Sequence, residues 1–158
     1  MTRHSTFPDD SLPVIQSAIA MLGGKQVLGL GSNVPLDLHE RLVAGLPLAA
    51  VKHLIASVPF IATEERFYKI LGLKLATYRR RRTMGKETLS SEQSQRLWRF
   101  AVAMSRATET LGDAEVAADW MTAQIVPLAW ETPLDFMGTE IGGMLVLRVL
   151  GQIEAGSF

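Results

Sequence analysis

The 158-residue chain is 47% hydrophobic and 20% charged, and its sixteen basic side chains balance sixteen acids to a net charge of zero. It has enough apolar material for a packed core, and the absence of cysteine excludes disulfides and thiolate metal sites. His4, His39 and His53 are scattered, with no H-x-x-x-H pair, no carboxylate cluster at metal-ligand spacing and no constellation of nucleophile and base, so neither an enzyme nor a metal or cofactor site is expected. No run approaches the ~20 apolar residues of a membrane span, and no basic region precedes an apolar signal core, so the expectation is a soluble cytoplasmic protein.

In chain order, residues 1–10 are polar, contain Pro8 and read as a loose arm. Leu12, Ile15, Ala18, Ile19 and Leu22 recur at helical spacing, and Gly23-Gly24 closes that helix. Residues 27–34 (VLGLGSNV) read as a linker, because the glycine pattern of a dinucleotide loop is incomplete and no βαβ unit surrounds it. A short helix is expected over 37–45, with Leu38, Leu42 and Val43 inward and Asp37 near its start. Pro47 suits the first position of the next helix, which buries Leu48, Val51, Leu54 and Ile55. A connector through Pro59 leads onward.

Residues 62–83 carry the main motif. Thr63 can cap a helix whose first turn holds Glu64 and Glu65; Phe67, Ile70 and Leu71 share one face, and Gly72 breaks the chain. Leu73 begins LKLATYRRRR, a basic second segment. A capped helix, a glycine turn and a basic helix describe a helix-turn-helix whose second helix enters the DNA major groove. Lys74, Thr77, Tyr78 and Arg81 are expected on its outer face, while Arg79, Arg80 and Arg82 hold phosphates.

Beyond a turn at Gly85, Ser90 or Ser91 caps the longest helix, over 91–111, with Glu92 or Gln93 near the capping-box position. Its stripe is Leu97, Phe100, Ala101, Met104, Ala107, Thr108 and Leu111, with Trp98 beside it. Asp113 caps a helix over 114–121 that buries Val116, Ala117, Trp120 and Met121. Residues 123–131 form a loop with Trp130; Thr132 and Pro133 then start a short helix through Met137. Thr139 caps the last helix, over 140–154, which is apolar nearly all round, so its outer face is expected to meet another protein.

The zero net charge hides an asymmetry. Residues 66–99 hold ten basic side chains against Glu87 and Glu92, a net +8, whereas residues 107–158 hold eight acids against Arg148, a net −7. One half suits a polyanion and the other something else, with a basic partner the expectation for so acidic a segment.

From Leu38 to Gly156, the ordered set HERLVAGLP (39–47), YRRRR (78–82), RLWRFA (96–101), LGD (111–113), AADW (117–120), TPLDF (132–136), T-x-x-G (139–142) and LGQIEAG (150–156) resembles the Xre/MbcA/ParS family of antitoxins. The resemblance implies an all-α chain in three parts: an arm, short helix and linker over 1–34, a helix-turn-helix domain over 35–88, and a C-terminal helical toxin-binding domain over 89–158. It implies a type II toxin–antitoxin module in which the N-terminal part binds the operon's own promoter DNA and represses it. The C-terminal part is implied to block the NAD-binding cleft of a RES-domain toxin, and a homodimer is expected. The candidate toxin contacts are Trp130, Asp135, Thr139, Glu140, Gly142, Met144, Leu147, Arg148 and Gln152. Two departures enlarge the apolar surface there: Ala129-Trp130 stands where family members tend to have a glycine pair, and Met144-Leu145-Val146-Leu147 carries less charge than is usual. The alternative is a stand-alone transcription regulator with a C-terminal dimerisation domain.

Overall fold

A 21-residue helix, α7 (Ser91–Leu111), forms the axis on which five of the other described helices pack. At 1.5 Å per residue it runs ~31 Å, about the width of a small domain. The computed structural model describes residues 12–156; the arm expected over 1–10 lies outside them. The order is α1 (Leu12–Met21), α2 (Gly24–Leu28), α3 (Val34–Ala44), α4 (Leu48–Ser57), α5 (Glu64–Leu71), α6 (Leu75–Thr83), α7, α8 (Ala114–Met121) and α9 (Glu140–Glu154). Three 3-10 turns, Pro59–Ile61, Val126–Leu128 and Pro133–Phe136, join them, and backbone pairing outside helices is confined, among the described residues, to two isolated bridges.

α7 starts and stops where its caps dictate. Ser90 Oγ accepts from the Gln93 amide, and Gln93 Oε1 accepts from the Ser90 amide, a reciprocal capping box. Gly112 ends the helix in the left-handed conformation. Between them Leu97, Phe100, Ala101, Met104 and Ala107 are buried. Each buried Leu or Phe stabilises the fold by about 1.5–3 kcal/mol relative to exposure. α1 lies along α7, α9 and α8 cover another side, and α5 and α3 complete the shell, so one continuous apolar core runs from Ala18 to Leu150 without a break at residue 88.

The start of α7 is also tied to the α3–α4 connection. Buried Ser94 Oγ accepts from the Leu46 amide at 2.7 Å and donates to the Ser90 carbonyl at 2.7 Å. Leu89 N–H donates to the Leu46 carbonyl and Leu48 N–H to the Glu87 carbonyl, both at 2.8 Å. This strap returns the chain after α6 to the body.

Several sequence expectations change. The linker over 27–34 is part helix: α2 covers Val27 and Leu28, burying Leu28 under the core, and Gly29 ends it. α3 begins at Val34, three residues early, with Pro35 inside its first turn; Asp37 stands in that turn, as expected near the helix start, and accepts from the Gly31 amide. Val43, expected inside, is 59% exposed, while α3 buries Leu38 and packs Val34 and Leu42 partly against the core. Val116 of α8 is likewise exposed, and Trp120 is only partly buried. Pro47 stands one residue before α4, where it pairs with Thr88. In α1 the buried face includes Val14, while Leu12 and Ile15 are half-buried.

Candidate DNA-binding and toxin-binding surfaces

The helix-turn-helix is built from local signals. Thr63 Oγ1 accepts from the Arg66 amide at 3.2 Å and caps α5; Gly72, at φ 66°, turns the chain into α6. Glycine is required there twice over: the left-handed conformation suits it, and an added Cβ would stand 2.9 Å from the Arg96 guanidinium. Arg96 Nε donates to the Ile70 carbonyl at 3.1 Å and its Nη2 to the Lys69 carbonyl at 2.9 Å, placing a cation on the negative end of α5.

α6 presents a different face from the one its sequence suggests. Tyr78, expected outside, is 2% exposed and packs its ring 5.5 Å from that of Phe67. The reason is spacing: Leu75 and Tyr78, three apart, are the only large uncharged side chains α6 can turn inward. Burial raises the Tyr78 pKa, opposed by the Arg82 charge, by the approach of Arg82 to the hydroxyl and by the Arg79 charge, although no hydrogen bond of full geometry reaches that hydroxyl among the described residues. Arg82 leans over the Tyr78 ring, 5.9 Å from its centroid. On a helix of 3.6 residues per turn, the side opposite Leu75 and Tyr78 centres on Arg80, flanked by Ala76 and Thr77. Arg79, Arg80 and Arg82 are exposed, Thr77 and Arg81 are half-buried, and Lys74 is exposed just before the helix.

The remaining cations of the +8 segment are used inside the protein. Arg66 Nη1 donates to the Phe60 carbonyl at 3.0 Å. Lys69 joins Glu65 at 3.0 Å and Asp135 at 2.7 Å. Arg99 Nη1 donates to the Met137 carbonyl at 3.1 Å. Part of the charge asymmetry is thus neutralised between the two halves, and the free positive charge concentrates on Lys74, the four arginines of α6 and Lys86.

The second surface is α9 and the turn before it. Thr132 and Asp135 form a capping box, and Thr139 Oγ1 accepts from the Gly142 amide at 2.9 Å. Of the nine candidate toxin contacts, three serve the fold. Asp135 Oδ2 accepts from the Thr132 amide and hydroxyl while Oδ1 meets Lys69. Thr139 is the cap. Gly142 is buried, and a Cβ added there would run into the Phe136 carbonyl, so no side chain fits.

Trp130, Glu140, Met144, Leu147 and Arg148 are exposed, and Gln152 is half-buried. α9 turns Val146, Val149 and Leu150 inward and leaves Ile141 71% and Met144 61% exposed, with Leu145 and Leu147 also open to solvent. Ile141 and Leu145 escaped the site reading although i, i+4 spacing aligns them on one face. Trp130 is 64% exposed and, like Ala129, has positive φ (64° and 55°). A bridge between Ile125 and Glu131 and the bond from Trp130 N–H to the Ile125 carbonyl hold that turn.

Among the described residues no group of three His, Asp or Glu side chains is placed to hold a metal, and no helix is long and apolar enough to cross a membrane.

Comparison with known proteins bears on both surfaces. Residues 37–102 match the antitoxin Xre-like helix-turn-helix domain, and residues 106–156 match the antitoxin Xre/MbcA/ParS C-terminal toxin-binding domain, so α7 is shared between the two. The chain is 31% identical over 132 residues to Antitoxin Xre of Photorhabdus laumondii subsp. laumondii, covering 83% of this chain and 87% of that protein. It is also 31% identical over 107 residues to Antitoxin Xre of Yersinia enterocolitica serotype O:8, covering 67% and 69%. Over 133 residues it is 26% identical to the Prs ADP-ribosylating antitoxin of a Sphingobium species, covering 78% and 82%. With an α5–Gly72–α6 helix-turn-helix on one side and a capped, apolar α9 on the other, this all-α chain belongs to the Xre/MbcA/ParS family of antitoxins.

Proposed function

We propose that the chain neutralises a RES-domain toxin that degrades NAD, covering the toxin's active-site cleft with α9 and the Trp130 turn. The observation that carries this reading is the unpartnered apolar face of Ile141, Met144, Leu145 and Leu147, inside the segment that matches a toxin-binding domain. An exposed stripe of that kind marks a protein contact. The name of the Sphingobium relative joins an antitoxin to ADP-ribosylation, a reaction whose usual donor is NAD.

The same chain acts in the cytoplasm as a homodimeric autorepressor on its own promoter DNA. α6 enters the major groove with Arg80, Ala76 and Thr77 toward the base edges, and Lys74, Arg79, Arg81 and Lys86 hold phosphates. Arg82 is positioned by the Tyr78 ring.

Co-expression with the product of the adjacent gene tests the toxin half. That product alone is expected to arrest growth and deplete NAD, and this chain to restore both, whereas Ile141→Glu does not. A neighbour that leaves NAD untouched, or forms no complex with this chain, would overturn the reading. The regulator with a C-terminal dimer contact would then take its place.

A further inference from the structure

A groove of about 320 Å³ runs between α3, α7 and α9, walled by Leu42, Trp98, Val102, Met144 and Leu147. Arg99 lines it. The arginine's stem lies against Gly143, where any side chain would displace it, and its Nη1 is held by the Met137 carbonyl. Its charge, however, is unanswered. Lys69 and Arg106 each have a carboxylate within 3.0 Å, whereas no carboxylate of the described residues lies within 4.0 Å of Arg99. Glu140 lines the same groove without reaching it. Burial and the neighbouring Arg96 charge both lower the Arg99 pKa, and Glu140 only partly offsets them. A half-desolvated guanidinium on an apolar groove forms a strong charge-assisted pair with any carboxylate brought to it in a dry interface.

We propose that this groove receives a segment of the toxin in which a carboxylate is flanked by apolar side chains, the carboxylate pairing with Arg99 and the apolar groups packing on Trp98, Met144 and Leu147. The inference rests on the toxin-binding reading of α9. The toxin is favoured over a second copy of the chain because the α9 wall of the groove, Glu140, Gly143, Met144 and Leu147, lies within the toxin-binding match. The surface therefore extends beyond α9 onto α3 and α7, and it offers the Arg99 cation as well as apolar packing.

Titration calorimetry on the full-length chain and the adjacent RES-domain protein, inactivated by substitution, tests this. Arg99→Met is expected to weaken binding by about 100-fold, the scale of a truncated interfacial charge pair, and to flatten its salt dependence. Arg99→Lys should recover part of both. Thermal melts of each variant establish that it is folded. Because Arg99→Met also loses the bond to Met137, substitution of the toxin's acids by their amides gives an independent reading: one of them should reproduce the loss and show no further loss with Arg99→Met.

If Ile141→Glu abolishes binding while Arg99→Met and every toxin amide variant bind like wild type, the groove proposal falls and the toxin-binding reading stands. If the wild-type chain does not bind the toxin, both fall. If Arg99→Met instead dissociates a dimer of this chain in sedimentation and leaves toxin affinity unchanged, the groove is a contact between copies and the proposal is overturned.

Discussion

The Lys69 ammonium stands 2.7 Å from Asp135 Oδ1, joining the first helix of the helix-turn-helix to the turn that launches α9. One residue on, the Ile70 carbonyl accepts from Arg96, whose guanidinium also lies beside Gly138. The helix-turn-helix and the C-terminal part are therefore clamped at one seam, with Lys69 and Arg96 drawn from the basic segment.

That seam is pH-sensitive in a defined direction. Burial pushes the Asp135 carboxyl up, but the Lys69 ion pair and the Thr132 hydrogen bonds outweigh it and hold the group below the ordinary aspartate range. Lys69 is raised by Asp135 and then Glu65. A depressed acid stabilises above its unfolded pKa and loses that contribution as pH falls through the folded value. A raised base stabilises below its unfolded pKa and loses it as pH rises through the folded value. The pair is intact between about pH 4 and 10. Asp135→Asn is expected to cost about 1 kcal/mol or less at neutral pH, since the pair is partly exposed, and to flatten the fall in melting temperature below about pH 4. Parallel curves for the two proteins in that range would contradict the assignment.

Tyr78→Phe separates a buried Tyr78 from one on the DNA face. It removes a hydroxyl that has no partner among the described residues and keeps the ring against Phe67. Stability should be unchanged or raised by up to about 1 kcal/mol, with promoter affinity retained. A clear loss in a mobility-shift assay would place Tyr78 against DNA.

Arg80 and Arg79 should behave differently in DNA titrations. Arg80→Ala is expected to cost about 1–3 kcal/mol on the promoter and much less on random DNA, eroding discrimination. Arg79→Ala should weaken both alike and reduce the salt slope by about one. Equal behaviour of the two variants would mean that α6 meets DNA with another face.

At Gly142 the helix start packs directly on the Phe136 carbonyl. Gly142→Ala is expected to destabilise by about 1–3 kcal/mol, the usual range for forcing extra volume into a packed site. A melting temperature equal to wild type would show that the turn yields easily.

Ala129 offers the opposite change. Its φ of 55° costs an L-residue about 1 kcal/mol that glycine does not incur. Ala129→Gly should raise the melting temperature of the free chain, measured by circular dichroism. This chain accepts backbone strain there while presenting Trp130.

Much of the architecture is a local property of the chain. Thr63, Ser90, Asp113, Thr132 and Thr139 each cap the helix or turn they precede, Gly72 and Gly112 end theirs, and α7 and α9 span the residues their periodicity predicts. These signals act over a few residues, so sequence alone determines them, and the ordered motifs along the chain identify the family. The inward faces of α4, α5 and α7 follow from periodicity, but which sides of α3, α6 and α8 meet protein was decided only in three dimensions. Tyr78 went inward because Phe67 stands beside it, and Val43 and Val116 went outward because the core has no place for them. Lys69, Arg96 and Arg99 left the basic face expected of this segment because carbonyls and a carboxylate distant in sequence came within reach. Caps and periodicity are short-range, whereas the solvation of a charge depends on neighbours that only the packed fold supplies.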